Sequence, residues 1–241
     1  MSGHSHAHNI QLVKGKADAK RAQTFTKFTK NIVVAAREGG NDPSFNFKLR
    51  MAIDAAKSVN MPKDNIERAV ARGVGGGEGE TMAEIVYEGF APGGVAILVQ
   101  CLTDNRNRTV AEVKNIVSKA GGAIGVGGSV MWMFEKKGVV SFADVSIIKD
   151  RDVFDLAVID AGAEDIIFVD DGLQIICEVK DLKKILDAVE ALGLKSDAAS
   201  IEYLAKTTMK VEDPEIKKQI EELVEKLEDY DDVDAVFTNE V

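Results

Sequence analysis

Asn105-Arg106-Asn107-Arg108 is the densest group of anion-holding side chains in the sequence. Thr109, followed three residues later by Glu112, has the spacing of a capping box, and Val110, Val113 and Val117 then recur at helical intervals. A helix start just after Arg108 would set Arg106 and Arg108 beside free backbone amides, where a phosphate gains from charge and hydrogen bonds together. The same arginines could instead hold Asp104 or other carboxylates of the chain.

Other chemistry is sparse. There is no H-E-x-x-H, C-x-x-C, G-x-S-x-G or G-x-x-x-x-G-K-[ST] motif, so neither an enzyme nor a cofactor is expected. Gly121 to Gly128, GGAIGVGG, has glycine spacings like those of a phosphate loop. It stands between a helix end and a strand, the reverse of a dinucleotide fingerprint, and is read as a flexible connection. His4, His6 and His8 alternate without a Cys or carboxylate beside them, so no metal site is expected. Asp229, Asp231 and Asp232, and Glu164 with Asp165, lack calcium-loop spacing and read as solvated. Met131 to Phe134 could form a stacking surface, but strand alternation favours packing. Cys101 and Cys177 fall inside apolar runs and read as reduced core residues.

Charge is divided unevenly. Residues 1–75 hold 13 Lys and Arg against 6 Asp and Glu, whereas residues 76–241 hold 17 against 34. A basic head of +7 on an acidic body of −17 points to a polyanion partner for the head. No apolar run approaches the ~20 residues that span a bilayer, and no signal-peptide core is evident, so a cytoplasmic protein without membrane contact is expected.

The elements that must position these groups follow from periodicity. Over 17–38, Ala22, Phe25, Phe28, Ile32 and Ala36 share one helix face, and Lys16, Lys20, Lys27, Lys30 and Arg37 the opposite one. A second helix over about 45–59 buries Leu49, Ala52, Ile53 and Ala56; a third opens at Pro62, with Ile66 and Val70 inward and Arg68 and Arg72 outward. Residues 1–75 are thus predicted as a basic helical bundle with a mobile N-terminal arm, followed by a hinge at 73–79. Residues 136–205 read as a β-α-β-β-α-β unit, with Asp170-Asp171-Gly172 turning its hairpin. That unit interrupts a second one, 80–135 plus 206–241, built from strands at 95–102, 129–134, 207–211 and 233–237. The predicted class is α+β: an N-terminal helical bundle followed by two ferredoxin-like α/β sandwich domains, one inserted in the other.

MSGHS at the start, DAKR at 18–21, FTK at 25–27, AAREGG at 35–40, MPKDNIERA at 61–69, YEGFAPGGVAILVQCLTDNRNRTVAEV at 87–113 and DDVDAVFTN at 231–239 together resemble the YebC/PmpR family. After MSGHS the family usually carries a tryptophan and a denser lysine cluster, where this chain has His6-Ala7-His8 and Gln11-Leu12-Val13. The resemblance implies a three-domain cytoplasmic protein. Bacterial members are described as DNA-binding probable transcriptional regulators and have been linked to ribosomes stalled on proline-rich stretches; mitochondrial relatives are translational activators of cytochrome c oxidase. The expected function is a nucleic-acid-binding regulator of transcription or translation, acting on promoter DNA or on ribosomal RNA. Lys16, Lys20, Lys27, Lys30, Arg37, Arg68, Arg72, Arg106 and Arg108 are the expected contacts. The alternative is a protein-binding adaptor whose acidic body meets basic partners without direct nucleic-acid contact.

Overall fold

Helix formation at the head follows the spacing of its apolar side chains. The computed structural model describes residues 18–75, 82–169 and 172–241, and begins with α1 (Asp18–Gly39), α2 (Phe47–Ser58) and α3 (Lys63–Val74). The N-terminal arm with its histidines, Lys16, residues 76–81 of the hinge and Asp170-Asp171 lie outside the described residues. Phe28, Ile32, Ala36, Leu49, Ala56, Ile66 and Ala69 form the helical core. Asn46 joins two helix ends. Its Nδ2 donates to Ala35 O (2.7 Å) and Gly40 O (2.8 Å) at the end of α1, while its Oδ1 accepts from Leu49 N (3.0 Å) at the start of α2. A Cβ on Gly73 would lie 2.7 Å from Ala36 Cβ and 3.3 Å from Arg37 N, so α3 crosses α1 at backbone contact there.

The chain continues as β1 (Ala83–Phe90), β2 (Ala96–Thr103), α4 (Arg106–Lys119), β3 (Ala123–Ile124), β4 (Phe134–Phe142), α5 (Arg151–Asp160), β5 (Ala163–Val169), β6 (Gly172–Glu178), α6 (Leu182–Ala191), β7 (Ala198–Ala205), α7 (Pro214–Glu228) and β8 (Val233–Thr238). Residues 136–203 form one compact unit; the remaining described residues, up to 135 and from 204, form the other. Each unit carries one four-stranded sheet, ordered β5-β6-β4-β7 in the first and β3-β1-β2-β8 in the second.

In the larger unit, β2 is buried on both faces except at Gln100, the one polar side chain that interrupts its apolar run from Val95 to Leu102. Ile97, Val99 and Cys101 pack against Val113 and Val117 of α4 and Ile220, Leu223 and Leu227 of α7. Two expected strands are corrected. Residues 131–133 make a single 3-10 turn, and residues 207–211 contribute only an isolated bridge from Met209 to Glu240. The place beside β2 is taken by β1, because Pro92-Gly93-Gly94 folds the two into a hairpin from Phe90↔Ala96 to Ala83↔Thr103. Gly93 (φ 73°) and Gly94 (φ 79°) adopt the left-handed conformation that this turn needs.

In the smaller unit, α5 and α6 pack against each other, and Phe142 meets Phe154 edge to face at 5.7 Å. Both cysteines are buried and unpaired; burial pushes the Cys101 thiol up to about 12 and Cys177 up to about 11. Neither is expected to react with iodoacetamide in the native protein at pH 8, and both are expected to react once it is denatured. Labelling of either before unfolding, read by mass spectrometry, would contradict that burial.

Candidate nucleic-acid interface

One stripe of α1 is spent on the protein itself. Gln23, Lys27, Lys30 and Asn31 lie along the end of α7 and the turn beyond it. Gln23 Nε2 donates to Asp229 O and Lys27 Nζ to Glu228 O; Lys30 Nζ reaches Asp231 O at 2.8 Å and Asn31 Nδ2 reaches Asp234 Oδ1 at 2.6 Å. Carbonyls at a helix C-terminus lack partners within the helix and carry its negative end, which suits the Lys27 ammonium. Burial pushes the Lys27 pKa down, against the pull of Asp234, Glu228, Asp231 and Asp229. The expectation that Lys27 and Lys30 stand on an open basic face is thereby corrected.

Asp232 is the centre of this contact. Its carboxylate is buried and receives Lys30 Nζ at 2.6 Å on Oδ1; around Oδ2 lie an Arg108 guanidinium nitrogen at 2.9 Å, Thr109 Oγ1 at 2.8 Å, Tyr230 OH at 3.2 Å and Thr103 Oγ1 at 3.3 Å. Burial alone raises its pKa, but the hydrogen bonds from Lys30, Arg108 and Thr109 outweigh it and hold the carboxyl well below the usual range. Its backbone O also accepts from Leu102 N at 2.8 Å. A single side chain thus ties α1, β2, α4 and the turn before β8 together.

The helix start also differs from the expected one. Asn105 caps α4, its Oδ1 accepting from Arg108 N at 3.0 Å, so Arg106 and Arg108 belong to the first turn rather than to a loop before it. Thr109 lies inside the helix, buried at the Asp232 cluster, and Glu112 accepts from Asn115 instead of closing a capping box. Arg108 holds Asp104 (3.0 Å) as well as Asp232, which is the architectural alternative. Arg106 is exposed, with Tyr87 OH donating to its backbone O at 3.4 Å.

The glycine-rich segment is pinned. Glu88, buried on β1, accepts from Gly128 N (2.6 Å), Val130 N (2.9 Å) and Met131 N (2.7 Å). A cradle of amides of the kind that takes phosphate is therefore filled by the chain's own carboxylate. Burial raises the Glu88 pKa, and the three N–H donors bring it below the ordinary value. Trp132, expected to pack, is 65% exposed, with its indole N–H committed to Ser129 O at 3.1 Å.

Arg37, Arg68 and Arg72 are the expected contacts that remain exposed on the helical head. Arg37 and Arg72 leave the α1–α3 crossing at Gly73, and Arg68, one turn earlier on α3, bonds Asp64 O and Asn65 Oδ1 of its own helix. Lys20 belongs to α1 by its backbone. Sequence reasoning missed Asp232 and Glu88. The first sits in an acidic run that reads as solvated, and the second alternates correctly on a segment not assigned to the sheet. Among the described residues no group of three or more His, Cys, Asp or Glu could hold a metal, and no helix is long and apolar enough to cross a membrane.

A helical head joined to two four-stranded antiparallel sheets defines a mixed helix-and-sheet protein of discontinuous organisation. Residues 5–76 match the TACO1/YebC protein N-terminal domain and residues 82–240 the TACO1/YebC second and third domain, so the chain belongs to the TACO1/YebC family. A "probable transcriptional regulatory protein" of Trichlorobacter lovleyi is 48% identical over 99% of this chain and 95% of its own length. One of the same name from Persephonella marina is 47% identical over the same shares. The crystal structure of a conserved hypothetical protein from Aquifex aeolicus superposes with a TM-score of 0.86, at 38% identity, covering 94% of this chain and 92% of that one.

Proposed function

We propose that this chain is a regulator of gene expression that binds nucleic acid through its helical head and acts in the cytoplasm by binding rather than by catalysis. The names of its relatives support the regulatory role. The exposed guanidiniums of Arg37, Arg68 and Arg72 carry the reading: with Lys27 and Lys30 turned to α7 and Asp232, these three expected contacts stay open to a polyanion, beside the exposed Arg21, Lys57 and Lys63 of the same head. Arg106 extends the same chemistry to the first turn of α4. The strand order of residues 136–203 supports a ferredoxin-like assignment for that unit, which says nothing of function by itself.

Arg37→Glu, Arg68→Glu and Arg72→Glu combined should weaken binding to RNA and duplex DNA probes while circular dichroism stays unchanged. Each lost phosphate contact removes about 0.7–0.9 from the log–log salt slope, so the slope should fall by roughly 2–3. An unchanged affinity would remove these three arginines from the binding site. Sedimentation of a lysate through sucrose separates the two targets. A substantial fraction should travel with ribosomal particles, whereas protein wholly at the top that still footprints a promoter would leave transcription alone.

A further inference from the structure

Helix α5 is apolar on both sides. Phe154 and Val158 are fully buried in the smaller unit, yet Val153, Leu156 and Ile159, on the far side, are 49%, 63% and 56% exposed. At about 100° per residue those three fall within an arc of roughly 120°, a continuous stripe opposite the core. Phe168, on the edge strand β5, is 57% exposed and carries the Arg151 guanidinium 4.2 Å over its ring. Exposed apolar side chains on the face of a helix turned away from its core mark a contact still to be made.

The charge around the stripe selects its occupant. Asp152 and Asp160 lie in the same arc as Leu156, and residues 143–169 hold seven carboxylates against Lys149 and Arg151. A second copy laid on this face would oppose carboxylates to carboxylates, and nucleic acid or an anionic lipid surface would be repelled. We propose that α5 is a docking surface for a basic amphipathic helix of a partner protein. The partner's apolar stripe packs on Val153, Leu156 and Ile159, and its flanking Lys or Arg residues reach Asp152 and Asp160. This site is separate from the arginines of the head and does not depend on the nucleic-acid reading.

The test uses the full chain and a fluorescein-labelled synthetic peptide of about 18 residues, long enough for a stable helix, with leucines at i, i+3, i+4 and i+7 and lysines elsewhere. Anisotropy titration should show saturable binding. Leu156→Asp with Ile159→Asp should weaken it at least about tenfold, the size expected when central anchors are removed. Asp152→Asn with Asp160→Asn should weaken it and flatten its salt dependence, whereas Glu221→Gln with Glu222→Gln on α7 should change nothing. Circular dichroism verifies that each variant is folded. Binding that is absent, or equal for wild type and the α5 variants, would overturn the proposal. So would a wild-type dimer in sedimentation equilibrium that Leu156→Asp dissolves, because the face would then be an interface between copies.

Discussion

Asp232→Ala is expected to destabilise the protein by about 3–5 kcal/mol, the loss seen when one partner of a buried ion pair is removed and its counter-charge is left behind. Lys30 is the group left behind: its ammonium, mostly withdrawn from solvent, would keep only Asp231 O. Thr109 and Thr103, both buried, would keep each other at 2.8 Å but lose the carboxylate. The change should appear as a fall in urea midpoint without a change of slope. Arg108→Ala should cost much less, about 1 kcal/mol, because its side chain is half exposed and water replaces the pairing; Arg106→Ala should leave stability unchanged.

The depressed pKa of Asp232 gives this prediction a pH dependence of definite sign. A folded-state value below the unfolded one means that the unfolded chain binds the proton first. The stabilisation is therefore complete above about pH 4, near the ordinary Asp value, and is lost as pH falls through the depressed folded value. Urea denaturation at pH 7 and pH 3 should show a larger loss for wild type than for Asp232→Asn. Equal losses would mean that the carboxylate carries no net stabilisation.

Glu88→Ala should rank next, at about 2–4 kcal/mol. It orphans the amides of Gly128, Val130 and Met131, each of which costs roughly 1–3 kcal/mol when left unsatisfied, less where water enters. The readout that separates this from simple truncation is local. Hydrogen exchange at those three amides should accelerate more than elsewhere, and Trp132 fluorescence should shift as the turn loosens. Uniform acceleration across both units would place the effect in global stability instead.

Much of the architecture could be read from the chain because it rests on neighbours in sequence. Apolar residues three and four apart specified α1, α2 and α3, and the largely apolar run from Val95 to Leu102 specified a strand. The helix start at Arg106 was misplaced by a few residues, since Asn105 and Thr109 both have side chains that cap and only geometry chooses between them. The contacts of the basic face were illegible for a different reason. A lysine on a solvated helix face and one laid on the end of a distant helix have the same local sequence, and nothing near Lys27 or Lys30 announces residues 228–232.

Asp231 and Asp232 make the point most directly. They are adjacent and chemically identical, yet Asp231 is exposed while Asp232 is buried among five donors from α1, β2, α4 and its own turn. By itself the sequence determined the helices and most of the strands, that the cysteines are core residues and that the head is basic, because periodicity and composition act over short range. Only the tertiary structure decided which charges are left for a partner, because desolvation and pairing depend on groups that the chain brings together from far apart.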